Sequence, residues 1–431
     1  MNYAQATKII EILREYGSRP GLDRVNKLLD KMGNPQDKLS FVHITGTNGK
    51  GSVCAVVSSV LKSSGYLTGL FTSPFITDLR EQIQVQGEMI SEEDFASVVA
   101  YVWGITEELI SQGIIITEFE FTMAVAFEYF VRRGCEIVVL EVGMGGKGDS
   151  TNVIKAPLCA VFTPVSLDHT GVLGATLTDI AREKSGIIKE GTRVVSSVQD
   201  EEVIKVIEDT CRDKGVSLKI ADTSQMQVVS ESIEGTEVIY KGESLRLSML
   251  GNHQVENLGV ALTVIETLTE QGFDRINIES IRKGVKEAKN PARFEVVSVN
   301  PAVIIDGAHN PEGMRVFADT VKKLMPHKKG ILMTGMLRDK DIDTSLGYIG
   351  DLFSSVYTVT IDNPRTMSAE EYAEKCRGVF DCVKACTDAE SAFSEALAEA
   401  TEKDTFLCVC GSLYLAAQIR PYILSKLKNR G

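Results

Sequence analysis

Two glycine-rich stretches hold the residues best suited to chemistry. Gly46-Thr47-Asn48-Gly49-Lys50-Gly51-Ser52 follows the apolar run Phe41-Val42-His43-Ile44 and precedes a helix-like pattern over 53–62. Glycines let backbone N–H groups curl around phosphate oxygens. Lys50 can reach the outer phosphates, and Ser52 falls at a helix N-terminus, whose dipole favours anions. The spacing departs from the usual phosphate loop: Ile44 stands where its first glycine would be, and Gly51 separates Lys50 from Ser52. A tight turn carrying a solvated lysine is the competing interpretation. A lysine inside a glycine cluster at a helix start favours phosphate.

The second stretch, Gly143-Met144-Gly145-Gly146-Lys147-Gly148, has the G-x-G-x-x-G spacing of a dinucleotide loop. That fingerprint needs a helix straight after it. Asp149-Ser150-Thr151-Asn152-Val153 is a poor helix start and Pro157 follows soon. A nicotinamide or flavin site is therefore disfavoured.

Four single residues stand out. Glu141 ends the apolar run 137–142, where an unpaired buried carboxylate would be expensive, so a metal ligand or an ion pair is expected. His169, beside Asp168, follows the apolar run 158–163. His309 lies where the run 302–305 gives way to a helix starting at Pro311. Both are positions where doubly wound sheets bind ligands. Lys184 sits in a helical segment, 179–189, where a solvated lysine would be the default.

The elements that must position these residues alternate. Strand-like runs at 41–44, 137–142, 158–163 and 193–198 are separated by helix-like patterns, which predicts a parallel sheet covered by helices. Over 226–250 the period changes to two, with a turn at Glu234-Gly235, which reads as an antiparallel hairpin added to the first domain. Helices are expected over 252–271 and 278–289. Lys289-Asn290-Pro291-Ala292 is the best linker. Beyond it strands at 302–305, 330–334, 356–361 and 405–410 alternate with helices at 311–324, 369–379, 391–401 and a last one to 428.

The 431 residues, with 46 Lys+Arg and 59 Asp+Glu, carry a net charge of −13. Such a balance argues against non-specific nucleic-acid or membrane-surface binding, though not against an anionic substrate met by local field. The nine cysteines are scattered without a C-x-x-C pair, which reads as reduced thiols in a cytoplasmic protein and not as a metal site. The amphipathic stretch 1–14 lacks the apolar core of a signal peptide, and no apolar run is long enough to span a membrane.

A resemblance joins these pieces. The first glycine loop, Thr72-Ser73-Pro74, Leu140-Glu141-Val142-Gly143-Met144-Gly145-Gly146, Leu167-Asp168-His169 and Glu183-Lys184 occur in order. So do Gly251-Asn252-His253-Gln254-Val255-Glu256-Asn257, Ala292-Arg293-Phe294-Glu295, Asp306-Gly307-Ala308-His309-Asn310-Pro311 and Gly411-Ser412-Leu413-Tyr414. Together they resemble the folylpolyglutamate synthase/dihydrofolate synthase family of the Mur ligase superfamily over almost the whole chain. The fold this implies is α/β in two domains. Residues 1–292 would form a P-loop-type, mostly parallel sheet with helices on both faces plus the small hairpin. Residues 293–431 would form a Rossmann-like doubly wound domain.

The activity implied is ATP-dependent ligation of L-glutamate to a carboxyl group of a reduced folate and of dihydropteroate, through an acyl phosphate. The resemblance puts Thr47, Asn48, Gly49, Lys50, Gly51 and Ser52 on ATP phosphates, and Asn257, Arg293 and Asp306 on the adenosine side. It puts Mg2+ on Ser73, Glu141 and His169, and a carbamylated lysine at Lys184. It implies pterin contacts at Thr117, Glu118, Phe119 and Asp149, and glutamate-side roles for His309 and Ser412. Lys50, Lys184, Arg293 and His309 would be the catalytic set, in a monomer with small-molecule partners only. Three departures fall on the pterin side. Phe75 stands where the family usually has His, Lys147-Gly148-Asp149 where Arg-Leu-Asp is common, and Ser18-Arg19-Pro20 where some dihydropteroate-using members carry acid.

Overall fold

Strands buried on both faces read as continuous apolar runs, and those of the N-terminal half meet side by side. The computed structural model describes residues 1–17 and 19–428, so Ser18 lies outside the described residues. The N-terminal half holds β1 (Phe41–Thr45), β2 (Thr68–Phe71), β3 (Ile83–Val85), β4 (Glu88–Met89), β5 (Ile137–Glu141), β6 (Cys159–Phe162), β7 (Arg193–Ser196) and β8 (Leu218–Ile220). They form one sheet in the order β4-β3-β2-β5-β1-β6-β7-β8. The run from β2 to β8 is parallel, and β3 and β4 add antiparallel at one edge. Every residue of β1, β5 and β6 is buried. Phe41, Phe71, Phe121, Phe127 and Phe130 pack in the core on one side, and Phe162, Ile180 and Ile207 in another cluster. The register pairs Ile44 with Glu141, so the carboxylate stands beside the strand that feeds the first glycine loop.

The segment read as a hairpin is a three-stranded antiparallel sheet, β9 (Met226–Ser232), β10 (Gly235–Tyr240) and β11 (Glu243–Leu247). The expected turn at Glu234-Gly235 joins β9 to β10, and the strand beyond the expected hairpin is β11, reached through a second tight turn at Lys241 and Gly242, both of positive φ. Chain contacts divide the molecule into two units. Residues 1–75, 79–226 and 255–288 make one; 76–78, 227–254 and 289–431 make the other. The antiparallel sheet thus falls in the second unit, whereas its sequence position had attached it to the first domain.

In the second unit the main sheet comprises β12 (Glu295–Val299), β13 (Ala302–Ile305), β14 (Gly330–Thr334), β15 (Phe353–Val359), β16 (Val383–Cys386) and β17 (Leu407–Cys410). Its order is β12-β13-β17-β14-β15-β16, parallel except for β12. Apolar clusters around Phe317 and Phe406, and around Phe393 and Leu407, hold its helices. Strands 302–305 and 330–334 and helix 311–324 match their expected bounds. No helix among the described residues is long and apolar enough to cross a membrane.

Candidate active site

The first glycine loop leaves β1 and turns into the helix Lys50–Ser63 through Gly49, whose φ of 86° is left-handed. A side chain there would be strained, and its Cβ would lie 2.3 Å from Asn257 Oδ1. Asn257 is buried and so closes against the loop. No side chain caps this helix, and its first turn has no acidic residue. An uncapped helix N-terminus with no acidic residue in its first turn suits an anion.

Two lysines converge on one oxygen. Lys50 Nζ donates to Gly46 O at 3.2 Å and Thr47 O at 3.3 Å, and Lys184 Nζ donates to Gly46 O at 2.8 Å. Lys184 is only 3% exposed, so the solvated lysine expected of a helix surface is absent. Burial pushes its pKa down to about 7, and the charge of Lys50 pushes the same way, against the weaker pull of Asp168, Asp149 and Glu183. Lys50, Lys184, Thr47, Asp168 and His169 line one cavity with Gly143, Met144 and Gly145 of the second glycine loop. His169 has a left-handed φ of 50° and lies 3.7 Å from Asp168, both half exposed. Thr47 is tied to Ser166 by two 3.0 Å hydrogen bonds, and its N–H and that of Asn48 donate to Pro164 O. The two glycine loops are joined where Thr45 Oγ1 donates to Gly145 O at 2.7 Å.

Glu141 is 4% exposed and accepts from the Ser73 N–H at 3.3 Å. Among the described residues no group of three or more His, Cys, Asp or Glu is gathered to hold a metal ion. Glu141 and Ser73 offer hard oxygens, which suit magnesium when phosphate oxygens and water complete its shell.

The second glycine loop is followed by a single 3-10 turn, Ser150–Val153, in keeping with the expected lack of a helix. Asp149 is engaged by its own loop: it accepts from Met144 N at 2.8 Å, Thr151 N at 3.0 Å and Thr151 Oγ1 at 2.5 Å. His43 Nε2 meets Thr151 Oγ1 at 2.9 Å, and burial holds its pKa near 3, so the ring is neutral. Glu183 fastens the loop from the other side, accepting from Gly148 N at 2.9 Å. Neither His43 nor Glu183 was assigned a role from sequence. A histidine inside an otherwise apolar strand was the available signal.

Thr117 caps the helix Glu118–Arg133 in a reciprocal box with Glu120. Glu118 pairs with Arg14 at 3.1 Å, Arg14 lies 5.4 Å over the Phe75 ring, and Phe119 packs on Phe71 at 5.9 Å. These groups form one aromatic and ionic neighbourhood in the first unit. Asp149 is set apart from it by its own hydrogen bonds.

In the second unit Asp306 accepts from Phe294 N and Ala308 N, each at 2.7 Å. Burial raises its pKa and nearby Arg293 opposes the rise. Arg293 and burial together depress His253 to about 4. His309 Nδ1 is 2.8 Å from Gly307 O. Gly411 N donates to Ala308 O at 3.0 Å, which sets Ser412 next to that loop. Within the first unit Thr47, Lys50, His169 and Lys184 line one cavity, Glu141 accepts from Ser73, and Asn257 abuts Gly49; within the second, Asp306, His309 and Ser412 belong to adjoining loops, with Arg293 beside Asp306.

The sequence matches the Mur ligase middle domain over residues 44–265 and the Mur ligase glutamate ligase domain over residues 292–413. It is 31% identical to the dihydrofolate synthase/folylpolyglutamate synthase of Bacillus subtilis, over 97% of this chain and 98% of that protein. The chain belongs to the folylpolyglutamate synthase/dihydrofolate synthase family of Mur ligases. As a member of this family it is an ATP-dependent ligase. Its fold is similar to the crystal structure of folylpolyglutamate synthase from Thermotoga maritima, with a TM-score of 0.89, 33% identity and 98% of each chain covered. It is also similar to a Mycobacterium tuberculosis folylpolyglutamate synthase complexed with ADP and AMPPCP (TM-score 0.85, 28% identity, 98% and 99% covered).

Proposed function

We propose that this ligase joins the amino group of L-glutamate to the carboxylate of a reduced folate or folylpolyglutamate, and of dihydropteroate, with release of ADP and phosphate. The observation that carries this reading is the pair Lys50 and Lys184 on the Gly46 carbonyl, beneath an uncapped helix N-terminus. Lys50 and Lys184 meet on one carbonyl oxygen and form no hydrogen bond to a carboxylate among the described residues, so Lys50, with the protonated fraction of Lys184, brings positive charge to phosphate oxygens. Nucleotide complexes of a structural neighbour and the folate names of the relatives support the substrates.

Amide formation from a carboxylate needs a good leaving group on carbon. In this reading the substrate carboxylate attacks the γ-phosphorus of ATP, and ADP leaves. The glutamate amine then attacks the acyl carbon, loses a proton, and the tetrahedral adduct expels phosphate. Such transfers depend on charge neutralisation and alignment. Lys50 and the backbone of Thr47 to Ser52 hold the phosphates. Asn257, Arg293 and Asp306 take the adenosine side, and His309 and Ser412 the incoming glutamate. Ser73, Glu141 and His169 would hold Mg2+, which supplies further positive charge to the phosphates.

Lys184 with a pKa near 7 is about half neutral at neutral pH. That neutral amine is the form that adds to CO2, with loss of a proton, to give a carbamate. Mass spectrometry under CO2 would detect the adduct on the peptide holding Lys184. Thr117, Glu118, Phe119 and Asp149 belong to the pterin side. Phe75 gives it a less polar ring and Lys147 puts a point charge where a guanidinium is common, so reduced folate should be the better acid. The two domains would divide near residue 292, and the chain would act as a cytoplasmic monomer.

The deciding assay is ADP release in the presence of ATP, glutamate and either tetrahydrofolate or dihydropteroate. Release that requires both glutamate and one of these acids supports the proposal. Release indifferent to both acids overturns it. A higher specificity constant with dihydropteroate would reverse only the substrate order.

A further inference from the structure

The helix Leu177–Ser185 serves two places. Lys184 lines the glycine-loop cavity, and the next residue, Ser185, lines a separate open cleft of about 420 Å³. The cleft is bordered by Lys147, Arg182, Lys189 and Lys214, with Glu190 the one carboxylate among its walls. A local surplus of cations is unexpected in a chain of net charge −13.

Three details set it apart from an ordinary solvated surface. Ser185 is 3% exposed, and its Oγ is buried without a hydrogen-bond partner. A hydroxyl left so is costly unless something enters to meet it. Lys189 is half-buried and donates to two carbonyls, Asn152 O at 2.8 Å and Ile154 O, so its charge has dipoles but no carboxylate as hydrogen-bond partner. Burial pushes its pKa down to about 8. Arg182 meets only Asp179 at a long 3.5 Å, on its own helix.

We propose that this cleft is a second anion site, taking a small molecule with two or more phosphate or carboxylate groups. Lys147, Arg182, Lys189 and Lys214 would meet its charges, and Ser185 Oγ would donate to one of its oxygens. The site touches the machinery of the ligase at two points. Lys147 belongs to the second glycine loop, and its N–H donates to Glu183 O at 2.8 Å. Ser185 neighbours Lys184. Occupation of the cleft would therefore stiffen the loop and the helix that border the phosphate cavity.

Calorimetry can test this with two probes, inorganic pyrophosphate and citrate, in magnesium-free buffer. The phosphate loop must be masked, once by saturating ADP and once by Lys50→Ala. Saturable one-to-one binding of either probe under both masks is expected, and the stronger probe tells phosphate from carboxylate chemistry. Lys214→Glu and Lys147→Ala together should weaken it at least tenfold. Ser185→Ala should weaken it several-fold while leaving the urea midpoint unchanged or raised, because the hydroxyl has no partner to lose. A Ser185 that merely packs would leave affinity unmoved. Absence of saturable binding of both probes under both masks would overturn the proposal. So would affinities that the Lys214→Glu, Lys147→Ala protein retains.

Discussion

Each unit sends a parallel strand into a loop and then into a helix, but the two loops end differently. In the first unit β1 leads through Gly46 to Gly49 into Lys50–Ser63, with no side-chain cap. In the second, β13 leads through Asp306 to Asn310 into Pro311–Leu324. There Asn310 Oδ1 accepts from Gly313 N at 2.8 Å and proline occupies the first turn. Asp306 uses both carboxylate oxygens on backbone N–H groups of its own neighbourhood. One helix start has no side-chain cap hydrogen bond, whereas the other is capped by Asn310. In the proposed reading the first junction offers its helix start itself to phosphate, and the second offers side chains, Asp306 and His309, from a loop held rigid by its cap.

The contrast predicts unequal consequences. Lys50→Ala should lower ADP formation about 100-fold or more, a loss of about 2.7 kcal/mol at ~1.36 kcal/mol per tenfold. Circular dichroism should be unchanged, since Lys50 supports no core contact. Turnover within threefold of the parent would break the comparison at its strongest point. Glu141→Ala should cut turnover about tenfold or more, with partial recovery at high magnesium, because one hard oxygen is gone. A loss wholly indifferent to magnesium would reassign Glu141 to holding Ser73.

Gly49→Ala should cost about 1–2 kcal/mol of stability through its left-handed φ, with added loss from the push on Asn257. Urea unfolding and the KM for ATP would both report it. In the second unit Asn310→Ala should cost about 1 kcal/mol, the usual worth of a cap, with little change in the KM for ATP. A large rise in that KM would mean that the cap also holds the Asp306 loop in place for nucleotide.

A further effect is a pH slope. Lys184 has a folded pKa of about 7 against 10.5 when unfolded, so between these values the unfolded chain binds more protons. Its contribution to stability is fully present above about pH 10.5 and is lost as pH falls towards 7. Lys184→Met should flatten the stability profile across that window and stabilise the protein at pH 7. An unaltered slope in the variant would show that the amine is not buried as described.

Local patterns carried much of this molecule. Apolar runs without alternation announced the buried strands β1, β5, β6, β13 and β14, because burial on both faces removes the polar half of the code. The glycine loop, Glu141 at a strand end and the ordered motifs marked family and chemistry, since backbone approach to phosphate admits few residue types. Other features had no local signature. Strand β8 has only three residues, too few to show a period. Lys184 read as a surface lysine, because helical spacing cannot say which face a distant loop will cover. The bonds that hold Asp149, from Met144 and Thr151, and the His43 that meets Thr151 from a buried strand, could not be read from spacing. Ser185 and the cations around it lie in the second glycine loop, on two helices and in the turn after the first of them. Sequence by itself determined most of the elements, the family and the glycine loop after β1, all of which rest on short local patterns. Burial, pKa and the cleft depend on long-range contacts, and only the tertiary structure decides those.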